Sequence, residues 1–177
     1  MIVISGANIE KGGPLTIYNT FIQSFSKKYP NEKIIAFVSN NVEFPFFDNV
    51  TYKKISFYKS FLVNKFFVEY VYYFVFSLKY KIKFWMLLNV CSQFVFSENQ
   101  IVYCHNASPF YKYSLNDFLY PTRIFLQSFY YSIFYFLNIK SNNYIIVQQE
   151  SFKQMFCNRY KIDTNKIIVS GCNNTYK

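Results

Sequence analysis

The sequence predicts an α/β protein whose parallel β-sheet is covered by helices on both faces. Three observations lead there. Short apolar runs alternate with longer stretches of helical period along nearly the whole chain. Most of the runs are uniformly apolar rather than alternating, as in strands buried on both sides. Glycine, proline, asparagine and serine cluster between the runs, where strands hand over to helices.

In order, IVIS (2–5) reads as a buried strand, closed by a loop containing Gly6, Gly12 and Gly13. From Pro14, the residues Leu15, Tyr18, Ile22 and Phe25 recur at three- and four-residue spacing, with Asn19, Gln23 and Lys27 on the other side. That is an amphipathic helix, with proline in the first turn where a helix tolerates it. KIIAFVS (33–39) is a second strand, and VTYKKIS (50–56) a shorter alternating one. Residues 61–81 predict a long apolar helix ending in Lys79, Lys81 and Lys83. WMLLNV (85–90) suits a strand, although a short apolar run does not separate strand from helix by period alone. IVYC (101–104) is a firmer strand, closed by His105, Asn106 and a Ser-Pro turn. An aromatic helix over 123–138, a strand over 143–149, an amphipathic helix over 150–160 and a strand over 166–171 complete the chain. No repeat, low-complexity tract or linker divides it, so 1–177 reads as one domain.

Its 177 residues can bury a sizeable core, and 52% hydrophobic against 16% charged residues argues against disorder. Two causes fit the 23 Phe and 18 Tyr: AT-rich codon usage, or a surface that contacts lipid or sugar. A net charge of +10 points to an anionic partner, either a membrane face or phosphorylated substrates. Nucleic acid is disfavoured, because Arg occurs only at Arg123 and Arg159 and no RNP-type motif appears. Cys91, Cys104, Cys157 and Cys172 are widely spaced and His105 is the only histidine, so neither a metal site nor a disulfide framework is expected. The cytoplasm is the expected compartment. The N-terminus lacks the charged region and continuous apolar region of a signal peptide. The apolar stretches 66–78, 84–96 and 124–139 are shorter than the roughly 18–20 residues a spanning helix needs.

Ligands of parallel sheets bind beyond the carboxyl ends of the strands, where Ser5-Gly6 and Cys104-His105 fall. The segment GANIEKGGP is not a Walker loop, since no Lys-Ser/Thr follows its glycines. Nor is it a dinucleotide fingerprint, because Gly6 and Gly12 are too far apart. It offers backbone N–H groups and the positive end of a helix dipole to an anion, or it is a plain strand–helix corner. His105 stands where a hydrogen-bonding or reactive group would sit, or is a core histidine. Asn106 is a ligand contact or a turn residue. Gln148, Gln149 and Glu150 read as a helix start. No G-x-S-x-G elbow appears.

Three segments together, SGANIEKGGPLTIYNTF, IVYCHNASPF and NNYIIVQQESFKQMFCNRYKIDTNKIIVSG, resemble in order and spacing the N-terminal half of a GT-B glycosyltransferase. The retaining enzymes of bacterial surface-polysaccharide assembly, such as those of O-antigen lipopolysaccharide and capsule, are the nearest kin by this resemblance. It implies a Rossmann-like parallel sheet with helices on both faces, one half of a two-domain GT-B architecture. It implies sugar transfer from a nucleotide sugar to a saccharide or lipid-linked acceptor. Gly12 and Gly13 would then lie by the donor phosphates and acceptor, with Asn106 a further substrate contact. His105 would lie near the transferred sugar as the catalytic candidate, orienting it by hydrogen bonds.

No cofactor or metal is implied. The nucleotide-sugar donor is expected only with the C-terminal half, whose basic residues and Glu-x7-Glu motif are absent from these residues. A half enzyme forfeits the positioning of two substrates, worth up to about 7–11 kcal/mol, so the chain alone is expected to be inactive. A separate donor-binding chain is then a candidate partner. The resemblance also implies work at the inner face of the plasma membrane. There helix 61–78 would lie in the interface with Lys79, Lys81 and Lys83 on headgroups. Alternatively the sheet covers that helix and water solvates its lysines. A non-catalytic membrane- or saccharide-binding module is the alternative function.

Overall fold

A computed structural model describes residues 1–7, 9–55, 66–88, 94–104, 110–119 and 122–170. Its strands are Ile2–Ser5 (β1), Ile34–Ser39 (β2), Val50–Ile55 (β3), Phe84–Leu88 (β4), Asn99–Cys104 (β5), Tyr144–Val147 (β6) and Ile167–Val169 (β7). The helices are Gly13–Lys28 (α1), a π-helical Phe67–Tyr72 continuing as Tyr73–Lys79 (α2), Leu115–Leu119 (α3), Arg123–Asn138 (α4) and Glu150–Tyr160 (α5). The seven strands form one all-parallel sheet in the order β3-β2-β1-β4-β5-β6-β7. The predicted α/β class is the observed one. The sheet is Rossmann-like.

Parallel crossovers are right-handed, so stepping from β1 to β2 puts a helix on one face and stepping the opposite way puts it on the other. Accordingly Tyr18 and Ile22 of α1 pack with Ile2, Ile4, Ile34 and Met86. On the opposite face Tyr73 and Phe76 of α2, Tyr131 and Tyr135 of α4, and Phe156 of α5 pack with Val3, Phe37, Leu87 and Ile145. The second face carries more helix. Residues 40–49, between β2 and β3, contain no helix. Their Phe44 stacks on Tyr52 at 5.4 Å, meets Tyr18 edge-on at 5.8 Å, and packs with Phe47 against the α1 core. Asn49, at the end of that loop, donates from its amide towards the carbonyls of Ser26, Tyr29 and Glu32. It thereby satisfies acceptors that the C-terminus of α1 leaves open.

The helix expected over 61–81 ends at Lys79, and its first residues, 61–65, lie outside the described ones. Within its π-helical part Glu69 is buried and accepts from the Tyr130 hydroxyl at 2.9 Å. The helix α3 is too short to show a period, and the sequence reading did not anticipate it. A capping box holds it instead: the Ser114 N–H and Oγ both donate to the Asp117 carboxylate, at 2.8 and 2.7 Å, and keep that carboxyl below its ordinary range. Cys104 is a buried core thiol, as expected, while Cys91 and Cys172 lie outside the described residues. Among the described residues, no helix is long and apolar enough to cross a membrane.

Candidate functional site

The strand order reverses between β1 and β4, and the crevice beyond their carboxyl ends is the ligand position of such sheets. Register pairs Ser5 with Leu87, Leu88 with Tyr103 and Cys104 with Val147, so Ser5-Gly6 and Cys104 do share that edge. His105 and Asn106 follow directly and lie outside the described residues.

What β1 delivers to the edge is structural. Ser5 is buried, and its Oγ donates to the Tyr73 hydroxyl at 3.0 Å. Burial pushes the Tyr73 phenol far up, so it is no base for Ser5. The Gly6 N–H donates to the Phe37 carbonyl at 3.0 Å. A Cβ on Gly6 would stand 2.5 Å from the ring of Tyr18, whose hydroxyl lies 3.2 and 3.0 Å from the carbonyls of Ile4 and Phe37. Burial also raises the Tyr18 phenol well above its ordinary value, so it stays protonated and keeps donating. Gly6 is thus required by a tyrosine rather than by a ligand.

Gly12 and Gly13 differ from Gly6 and from each other. Gly12 has φ +74° and ψ −161°, a conformation open essentially to glycine alone. Its carbonyl accepts the N–H groups of Leu15 and Thr16, closing the start of α1. A Cβ on Gly13 would meet nothing within 4 Å. Both residues are exposed, and among the described residues no backbone bond uses their own N–H groups. A stability comparison separates the two: Gly12→Ala is expected to lose about 1–3 kcal/mol in urea unfolding. Gly13→Ala is expected to be neutral or to gain a few tenths.

A cluster that the sequence reading missed joins this loop to the end of β2. Glu10 accepts from Ser39 Oγ at 2.8 Å and from Asn41 Nδ2 at 2.9 Å, both through Oε1. Asn41 N–H in turn donates to Ser39 Oγ at 3.3 Å. The available signal was the polar Ser39-Asn40-Asn41 run at the carboxyl end of an apolar strand. Electrostatically the cluster matters, because a carboxylate two residues before Gly12 repels a polyphosphate but accepts from hydroxyl groups. Lys11, exposed between Glu10 and Gly12, offsets that charge, so the carboxylate adds a hydroxyl acceptor without making the loop anionic.

Elsewhere on this edge Gln148 donates to the Tyr103 hydroxyl at 3.1 Å, and Glu150 opens α5 as expected. Lys79, Lys81 and Lys83 are not brought to this edge. The Lys83 N–H donates to the Met1 carbonyl at the amino end of β1, and its Nζ lies 3.4 Å from Glu32, which also takes the Met1 ammonium at 3.1 Å. Lys79 and Lys81 are exposed nearby in sequence. Among the described residues, no three His, Cys, Asp or Glu side chains gather to hold a metal. The chain matches no protein-family model and no curated protein.

Proposed function

We propose that the chain is the acceptor-binding half of a GT-B-type retaining glycosyltransferase, acting on a saccharide or lipid-linked acceptor in surface-polysaccharide assembly. The observation that supports this best is the Glu10–Ser39–Asn41 cluster, which ties the Gly12-Gly13 loop to the end of β2 at the carboxyl edge of the sheet. Glu10 Oε2 accepts an acceptor hydroxyl, and the glycine N–H groups donate to a sugar oxygen that the missing Cβ atoms let approach. His105 and Asn106 orient the transferred sugar from the end of β5, as the resemblance implies. A donor-binding half, on a longer or separate chain, brings the nucleotide sugar and the positive groups that stabilise its leaving phosphate.

The test is an amide-resolved NMR titration of the chain with oligosaccharides and with nucleotides, followed by transfer assays. Oligosaccharide shifts are expected at Gly12, Gly13, Ser39 and Asn41, weakened by Glu10→Ala. No transfer is expected from the chain alone, and transfer is expected once a donor-binding half is supplied. Saccharide binding with no transfer beside that half favours the non-catalytic module. If free NAD or ATP shifts these amides and oligosaccharides do not, the reading gives way to a nucleotide-binding enzyme.

A further inference from the structure

The strand β3 ends the sheet: it pairs with β2 on one side and with no described strand on the other. The main-chain N–H and C=O groups of its outer side point away from β2, and an edge of this kind is a template for one more strand. At six residues it is long enough to take a short extended peptide. Register sets Lys53 beside Phe37, whose ring packs on α2. Thr51, Lys53 and Ile55 therefore turn to the α2 face of the sheet, and Val50, Tyr52 and Lys54 to the α1 face. Beside this edge runs an apolar groove of about 610 Å³, lined by Lys54 and Ile55 of β3 and by Phe67, Val71, Tyr72 and Val75 of α2. A peptide strand suits both features at once, since its main chain continues the ladder while alternate side chains enter the groove. A lipid tail would fill the groove but offer the edge no hydrogen-bonding partner.

Charge selects the kind of peptide. Lys54 is exposed, and Lys53 is half-buried with its ammonium 4.8 Å from the centre of the Phe76 ring. Neither has a carboxylate partner among the described residues, and no carboxylate lines the groove. A second copy pairing edge to edge would set these lysines against their own counterparts, which is how lysines on an edge strand resist self-association. Acidic side chains on an incoming strand answer them instead. We propose that β3 is a peptide-docking edge: an extended segment of a partner protein, alternating apolar and acidic residues, adds to β3 as a further strand, with its apolar side chains in the α2 groove and its carboxylates towards Lys54. This stands independently of the saccharide reading, because it uses the outer edge of the sheet rather than the carboxyl ends of its strands.

The experiment is a fluorescence-anisotropy titration of the full chain with a labelled, end-capped octapeptide of alternating valine and glutamate. Saturable binding is expected, with slowed amide hydrogen exchange along β3. Two further peptides are N-methylated, one at its valines and the other at its glutamates, so that only one of them loses the N–H groups that face β3. That one is expected to bind at least about tenfold more weakly, and the other to bind nearly as the unmodified peptide does. Charge reversal in Lys54→Glu, at an exposed position, is expected to weaken the glutamate peptide about fivefold and to favour one of alternating valine and lysine. The methylated peptides need no variant, so the test survives a Lys54→Glu chain that fails to fold. The proposal is overturned if the glutamate peptide does not bind, if both methylated peptides bind as the unmodified one does, or if folded Lys54→Glu keeps the preference for glutamate. Displacement of the peptide by phosphatidylcholine vesicles overturns it in favour of a lipid. A dimer in analytical ultracentrifugation that excludes the peptide overturns it in favour of a second copy.

Discussion

Replacing Gly6 with alanine is expected to cost about 3 kcal/mol of stability. The added Cβ would lie 2.5 Å from Tyr18 Cε2 and 2.6 Å from Cδ2. That ring cannot step aside cheaply, because it is fully buried and its hydroxyl is held between the carbonyls of Ile4 and Phe37. The backbone at Gly6 cannot retreat either without breaking its N–H bond to Phe37. Urea unfolding measures the loss, and a double-mutant cycle assigns it: Gly6→Ala combined with Tyr18→Leu should destabilise by clearly less than the sum of the single changes. A Gly6→Ala protein within about 0.5 kcal/mol of wild type would sink the packing account and return Gly6 to the list of ligand-approach positions. The distinction matters for function, because a loss of sugar binding in Gly6→Ala would otherwise be mistaken for a lost contact.

Phe37→Ala is expected to cost about 3–5 kcal/mol. Phe37 has no exposed surface and sits where β2 meets α2, with its ring 4.7 Å from Tyr73, 5.2 Å from Phe76, 5.8 Å from Tyr72 and 6.2 Å from Trp85. Truncation leaves a cavity among rigid rings that cannot close over it, which places the cost at the upper part of the range for core deletions. Phe37→Leu keeps most of the volume and is expected to lose roughly half as much or less. Near-ultraviolet circular dichroism should report both changes, since Trp85 and two tyrosines ring the site. Equal stability of Phe37→Ala and wild type would mean that the aromatic cluster is a loose one.

These two packing centres are distinct from the candidate site. Phe37 and Tyr18 build the platform under the edge between β1 and β2. The candidate groups lie at the carboxyl ends of β1 and β2: Glu10, Ser39, Asn41 and the exposed Gly12 and Gly13. Gly12 has a foot in both camps, since its backbone requires glycine and the residue is exposed. For that reason Gly13→Ala is the cleaner probe of ligand approach.

By itself the sequence pointed to a parallel, covered sheet and marked most of its strands and longer helices, though it left 85–90 ambiguous and missed α3. The unbroken apolar run over 34–38 and the helical period of Leu15, Tyr18, Ile22 and Phe25 depend only on near neighbours. It also showed that the first loop lacks both phosphate fingerprints. Tertiary structure alone decided the rest. The strand order, and with it the switch point, follows from pairings between segments far apart in the chain, such as β1 with β4. Glu10 meets Asn41 across 31 positions, beyond the reach of any local pattern. Gly6 needed the ring of Tyr18 to explain it. The sequence of α4 is apolar nearly throughout, so its period could not say which side would be buried. The sheet settled that by claiming Tyr131 and Tyr135 and leaving Phe129, Ile133 and Phe136 outside. Burial is a relation between elements, and only the assembled layers establish which side of each is spent on the core.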